Sequence, residues 1–364
     1  MSLGSGRNVL SESLARSQQT LDSQERPRLD GLDALRGIAA LAVVLFHFTT
    51  RFDQLFGHSA PPWLSFPLGH YGVNLFFIIS GFVIFMTIER SKAPMDFVVS
   101  RFSRLYPAYW VAIALTFTIT HWLGLPGHLA DLKTALLNGL MFHGMLFRVP
   151  HVDGVYWTLE VELLFYLGML VLMVTSQLKH VHRVLFFLLG VRLTYYVAQH
   201  VLDVSLPWVI YRFLIIGQIA WFTLGMAIYR LTFHAGDQYA KLDAPLAIVA
   251  IVIIAITDSL AIAGMALAFG YLVWSAANGR LKVLTTPILV WLGSISYTLY
   301  LLHENIGWSI ILTLREAGVG VDLSILAALG SSLALATAVT RWVERPAMAA
   351  IRNYYKRRKS CAAG

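Results

Sequence analysis

The chain has 364 residues, of which 57% are hydrophobic and only 13% charged, with a mean hydropathy of +0.65, a balance that excludes an ordinary soluble domain and reads as an all-α polytopic membrane protein. Its formal charge of +8 does not mark a nucleic-acid binder, because the basic residues are spread between apolar runs and form no single face. The single cysteine, Cys361, rules out a disulfide framework or a thiolate metal site within one chain.

Residues 1–28 are polar and read as a cytoplasmic N-terminal segment, with no cleavable signal peptide expected. Ten apolar runs of spanning length follow, at about 32–52, 69–88, 105–123, 155–175, 183–201, 208–229, 244–257, 259–278, 286–311 and 321–342. The seventh is short, and Asp258 divides it from the eighth, so the pair reads either as a tight hairpin or as one element. Of the 28 Lys and Arg, twenty fall in the N-terminal segment, the even-numbered connections and the tail, and only Arg51, Lys133, Arg148 and Arg315 in the other connections. Cytoplasmic loops carry the basic excess, so both termini are expected in the cytoplasm. The organisation is then a transmembrane unit over 29–346 and a basic cytoplasmic tail over 347–364.

The first run, LDALRGIAALAVVLFHFTTRF, carries Arg36 and His47. Eleven residues at about 100° each return to within roughly 20° of the same face, so the two side chains share a stripe and sit about 16 Å apart. Ionisable groups inside a span cost several kcal/mol unless they face a partner or a wet cavity, so the stripe reads as a polar path. A snorkelling Arg36 and a structural, interhelical His47 account for it equally well.

The second run opens GHYGVNLFFIISGF, where Gly72 and Gly81 permit close helix approach and Asn74 and Ser80 can bond across an interface; packing alone explains all four. Next comes RFSRLYPAYW. Arg101 and Arg104, three apart, share a helix face and can clamp a phosphate, beside Tyr106, Tyr109 and Trp110, which can stack on a flat ring. Topology alone would also keep arginines there.

The longest outer connection, Gly124 to Gly154, contains Leu129 to Phe147 with helix-like apolar spacing, expected as an amphipathic helix on the outer face. The fourth run, VYWTLEVELLFY, places Trp157, Glu160 and Glu162 near a membrane boundary; two apart on a helix, the carboxylates diverge and at most one meets the stripe. In the ninth run, SISYTLYLLHENIGW, His303 and Glu304 are embedded between apolar turns, and a structural role for His303 outweighs a catalytic one. Arg192, Arg212 and Arg341 each require a counter-charge, carbonyl or water. No phosphate-cradling Gly-rich loop, GxSxG elbow or HExxH occurs, and His143, His151 and Asp153 match no strong ligand spacing, so no metal is expected.

From about Leu32 to Pro346 these motifs resemble the membrane-bound acyltransferases of family 3. The arginine, ten residues and histidine of that family are met by Arg36 and His47, with Asp33 three before the arginine; GVNLFFIISGF, RFSRLYP, YWTLEVELLFY and SYTLYLLH are similar to its later blocks. The resemblance implies an O-acyltransferase moving an acyl group, acetyl first among them, from cytoplasmic acyl-CoA to a carbohydrate or glycan hydroxyl at the outer face. The setting would be a bacterial cytoplasmic (inner) membrane, with acetyl-CoA as co-substrate and no bound cofactor. It implies His47 as general base or acyl carrier, Arg36 held by Asp33, Glu162 orienting the histidine or binding sugar hydroxyls, and Arg101, Arg104 and Tyr106 on the donor. Asn74, Ser80, Trp157, Glu160 and His303 would support them. Asn74 stands where many members have aspartate, which removes any role needing negative charge there. No fused SGNH-type esterase domain is expected. A secondary transporter of a polar or anionic solute, or a non-catalytic envelope-assembly protein, are the alternatives, and neither predicts turnover of acyl-CoA.

Overall fold

The computed structural model describes residues 30–361 except 235 and 237–239. The described residues form helices joined by short connections, with no strand among them. That follows from the solvent: in hydrocarbon no water satisfies backbone N–H and C=O groups, and a helix satisfies them internally.

In chain order the helices are α1 (Asp30–Phe56), α2 (Pro67–Arg90), α3 (Pro94–Leu123), α4 (Leu132–Asn138), α5 (His143–Phe147), α6 (Trp157–Val174) and α7 (Val181–His200). Then come α8 (Trp208–Phe213), α9 (Ile219–Phe233), α10 (Ala240–Thr257), α11 (Leu260–Ala277), α12 (Pro287–Leu302), α13 (Glu304–Glu316), α14 (Val321–Val339) and α15 (Arg345–Cys361). Seven helical stretches are long and apolar enough to cross a membrane, α9 and α12 are shorter apolar helices, and α3 is a 30-residue helix with a charged first third. The protein is an all-α polytopic membrane protein.

Each of the ten apolar runs holds at least one of these helices. The seventh and eighth are two separate helices of 18 residues, turned at Asp258 and capped by the Ser259 hydroxyl, which accepts the Ile262 N–H at 3.2 Å. Two runs are interrupted. The sixth breaks between α8 and α9, where Ile215 has φ 47°; Arg192 donates to the freed carbonyls of Ile216 (3.2 Å) and Gly217 and pairs with Asp258 at 2.5 Å. The ninth breaks at His303, between α12 and α13. Irregular backbone at membrane depth survives only where protein groups or a cavity satisfy it, and Arg192 does so at the first break.

Backbone-to-backbone contact sets the central packing. Gly37 of α1 and Gly293 of α12 face each other so closely that a Cβ on either would overlap the opposite main chain. The registers of Arg36 and of the α12–α13 break are thereby fixed together.

The outer connection differs from a helix lying across the membrane face. It folds back along α3, because three donors on one side of that helix capture consecutive carbonyls at the end of α4. Tyr109 Oη donates to Asn138 O (2.9 Å), Trp110 Nε1 to Gly139 O (3.0 Å) and Tyr106 Oη to Leu140 O (3.3 Å). Tyr109 lies fourteen residues before Leu123, the last residue of α3, so the connection descends about 20 Å along the helix.

At the opposite end, α14, a π-helical turn over Thr340–Glu344 and α15 run on as one stretch of 41 residues, about 60 Å at 1.5 Å per residue. A hydrocarbon core of about 30 Å cannot contain it. The overhanging part packs on the start of α3: Lys359 Nζ and Tyr355 Oη reach Asp96 at 2.7 and 2.9 Å, and Arg352 Nε reaches Ser103 Oγ at 3.1 Å.

Candidate active site

Two cavities lie one above the other between the helices. The first, about 500 Å³, sits at the end where α15 packs on α3 and is lined by Arg36, Arg101 and Arg104 with Asp33, Glu162 and Glu344. The second, about 520 Å³, opens on the other side of the wall and is lined by His47, Arg51, Asn74, Trp157, Asp258 and Glu304. Val73, Phe77 and Tyr300 line both. The polar stripe of α1 is thus real, but its two ends belong to different chambers.

In the first chamber Arg36 is 3.6 Å from Asp33, and Arg104 is paired with the buried carboxylate of Glu344. Arg101 donates to the Thr87 and Ser100 hydroxyls, each at 3.2 Å, and lies over the Tyr166 ring. Glu162 accepts from Ser80 Oγ and from Tyr166 Oη. Arg101 and Arg104 do meet in one cavity, as their spacing predicts. Tyr106 does not join them: it stacks on Phe102 at 4.7 Å and holds the outer connection, so its ring is spent on α3's other side.

In the second chamber His47 begins a π-helical turn, His47–Arg51. The wider turn sends the Phe52 N–H to His47 O, and Trp308 Nε1 donates to the same oxygen at 2.9 Å. Such turns recur at functional positions. His303, fully buried at the break between α12 and α13, places Nε2 2.9 Å from His47 Nδ1. Its own Nδ1 lies 2.8 and 3.2 Å from the carbonyls of Tyr300 and Leu299. Carbonyls only accept, so His303 Nδ1 carries the proton, and a neutral His303 then presents Nε2 as an acceptor. His47 must donate through Nδ1, which in the neutral ring leaves the lone pair on His47 Nε2. Glu304 Oε1 is 3.5 Å from that nitrogen.

The carboxylate beside the histidine is therefore Glu304 and not Glu162, which faces the other chamber a helix away. Glu304 is backed by Asp153, which accepts the Asn305 N–H (3.1 Å) and Val155 N–H (3.2 Å) and whose burial raises its carboxyl to about 6. The sequence marks Glu304 only as a charge embedded beside His303 and Asp153 only as a weak metal candidate, and nothing in it links either to His47. Glu160 lines neither chamber; it accepts from Arg212 at 2.8 Å and from the Met145 N–H, tying α8 and the outer connection to α6. Asn74 and Trp157 both face the histidine chamber.

Residues 29–341 match the family described as an acyltransferase domain, the third of that series. The chain belongs to this acyltransferase family. It is 28% identical over 310 residues to the exopolysaccharide production protein ExoZ of Rhizobium meliloti, covering 77% of this chain and 90% of that protein. It is also 32% identical over 167 residues to nodulation protein 10 of Rhizobium leguminosarum bv. viciae, across 38% of this chain and 42% of the relative. A third relative, protein 2 in the picA locus of Rhizobium radiobacter, is 36% identical over 129 residues, 30% of this chain and 62% of its own. No solved structure matches the chain.

Proposed function

We propose that this acyltransferase takes an acyl group, acetyl in the simplest case, from cytoplasmic acyl-CoA and places it on a glycan hydroxyl at the outer face of a bacterial inner membrane. The observation that carries the reading is the stacking of an arginine-lined chamber on a histidine-lined one, with three side chains as their common wall. The arginines suit the phosphates of a nucleotide handle. A thin thioester-bearing arm is the part of such a donor that fits between two chambers. The glycan acceptor rests on the exopolysaccharide production protein among its relatives.

In the proposed reaction the acceptor hydroxyl gives its proton to His47 Nε2 while its oxygen bonds to the thioester carbonyl carbon. The carbon–sulfur bond then breaks, and the departing thiolate takes the proton back from His47. His303 holds His47 in the tautomer this needs. Arg36, kept by Asp33, and Arg101 hold the donor in the first chamber.

The test uses the purified protein in nanodiscs with radiolabelled acetyl-CoA and a bacterial exopolysaccharide repeat as acceptor. Wild type should label the acceptor, and His47→Ala should lose transfer while still binding acetyl-CoA. Labelling at the wild-type rate by His47→Ala would remove the assignment. Interrupted helices also serve secondary transporters. A protein that moves solute and never consumes acetyl-CoA would decide for that function instead.

A further inference from the structure

The C-terminal helix reads in the sequence as a basic tail held by topology. The structure gives it a second place: Arg345, Met348 and Arg352, one face of α15, form a wall of the first chamber. The helix is fixed there by Arg352 on Ser103 and by Tyr355 and Lys359 on Asp96.

The charge of that chamber does not balance. Arg36, Arg101, Arg104, Arg345 and Arg352 line it against Asp33, Glu162 and Glu344. Arg36 is taken by Asp33 and Arg104 by Glu344, while Glu162 is bonded to two hydroxyls. Among the described residues no carboxylate lies within ion-pair distance of Arg101, Arg345 or Arg352. The Nε of Arg101 is buried without a partner. Three guanidiniums without an ion-pair partner, from two helices, line a concavity whose five arginines outnumber its three carboxylates by two, and that excess focuses a field that draws a ligand with several anionic groups.

We propose that Arg345 and Arg352 are phosphate-binding residues of the donor site, closing with Arg101 around the phosphates of the nucleotide. The inference rests on the acyl-CoA reading above and assigns to α15 the part that Arg104, committed to Glu344, does not play.

The test compares two donors, acetyl-CoA and S-acetylpantetheine, which carries the same thioester and no phosphate. In R345Q/R352Q the KM for acetyl-CoA should rise about tenfold to a hundredfold with kcat held within about twofold, and the KM for S-acetylpantetheine should not move. R345K/R352K should recover most of the loss, and R358Q, on the exposed side of α15, should behave as wild type. Equal weakening of both donors, or no change with acetyl-CoA, overturns the proposal. Thermal unfolding with adenosine 3′,5′-bisphosphate keeps the two readings apart: it should raise the Tm of wild type and not of the double glutamine variant, whether or not acetyl-CoA is consumed. Absence of acetyl transfer by wild type would end the acyl-CoA reading alone. If those arginines answer to phosphatidylglycerol in nanodiscs and not to the bisphosphate, the phosphate they hold is a lipid headgroup and the nucleotide assignment falls.

Discussion

At the scale of single residues, the two carbonyls beneath His303 decide the chemistry available to His47. The reverse arrangement, with His47 Nδ1 accepting, would require both nitrogens of His303 to carry protons, an imidazolium fully buried among Leu299, Leu301 and Leu302. The neutral pair costs far less, so a ring that touches no chamber sets the proton position on the ring that does. In the proposed reaction His303 is a positioning residue. His303→Phe should therefore lower kcat about 10²- to 10⁴-fold, the usual worth of a placed base, with the KM for acetyl-CoA within about threefold. His303→Gln, which can still accept from His47, should fall between the two. A loss confined to KM would mean that His303 shapes the donor site and leaves the tautomer alone.

At the scale of elements, the outer connection depends on α3 for bonds and on buried histidines for its pH range. Tyr109→Phe leaves the Asn138 carbonyl without its donor, which should cost the docked connection about 1–3 kcal/mol, seen as faster amide exchange over 132–152. His143 and His151, 4.6 Å apart, are both lowered to about 4 by burial, while Asp153 is raised to about 6. As pH falls from 6.5 towards 4, protonation of the two buried histidines favours the undocked form, and the raised Asp153 carboxyl acts the other way. Removing one histidine isolates its share: in His143→Gln, protection of 132–152 should fall less between pH 6.5 and 4 than in wild type, and an identical pH profile would contradict the account. These elements also show what a sequence can and cannot display. Arg36 and His47 share a helix, so their common face follows from the 3.6-residue period. The bond from His47 to His303 joins positions 256 apart, and no local period encodes it. Tyr106 was legible as an aromatic beside arginines, but the turn of α3 that aims it at Leu140 depends on where the connection docks. The interruptions at 214–218 and at His303 were hidden because apolar residues resume on both sides of Gly217–Gln218 and of His303–Asn305, so each run reads as one span.

At the scale of the whole molecule, α2 is the partition. It shows Asn74 to the histidine chamber and Ser80 to the arginine chamber, and Val73 and Phe77, one turn apart, to both. Phe77 is held by Phe222 at 5.0 Å and Trp157 at 6.2 Å, and Tyr300 by the Thr158 hydroxyl at 3.0 Å. In the proposed reaction a donor anchored by the arginines on one side meets the histidine on the other only through this wall, so the wall would decide whether water arrives with the thioester. Removing the Phe77 ring should join the chambers. In Phe77→Ala, hydrolysis of acetyl-CoA without acceptor should rise several-fold while transfer to the acceptor falls, because the free base would then activate water as readily as the hydroxyl. Phe77→Leu keeps most of the bulk and should stay near wild type on both measures. The variant loses contacts on a ring that already borders empty space on two sides, so its destabilisation should sit at or below the about 3–5 kcal/mol of a closed core site. If hydrolysis and transfer fall together in Phe77→Ala with the Tm unchanged, the ring carries the thioester arm instead of barring the water, and the barrier lies with Tyr300.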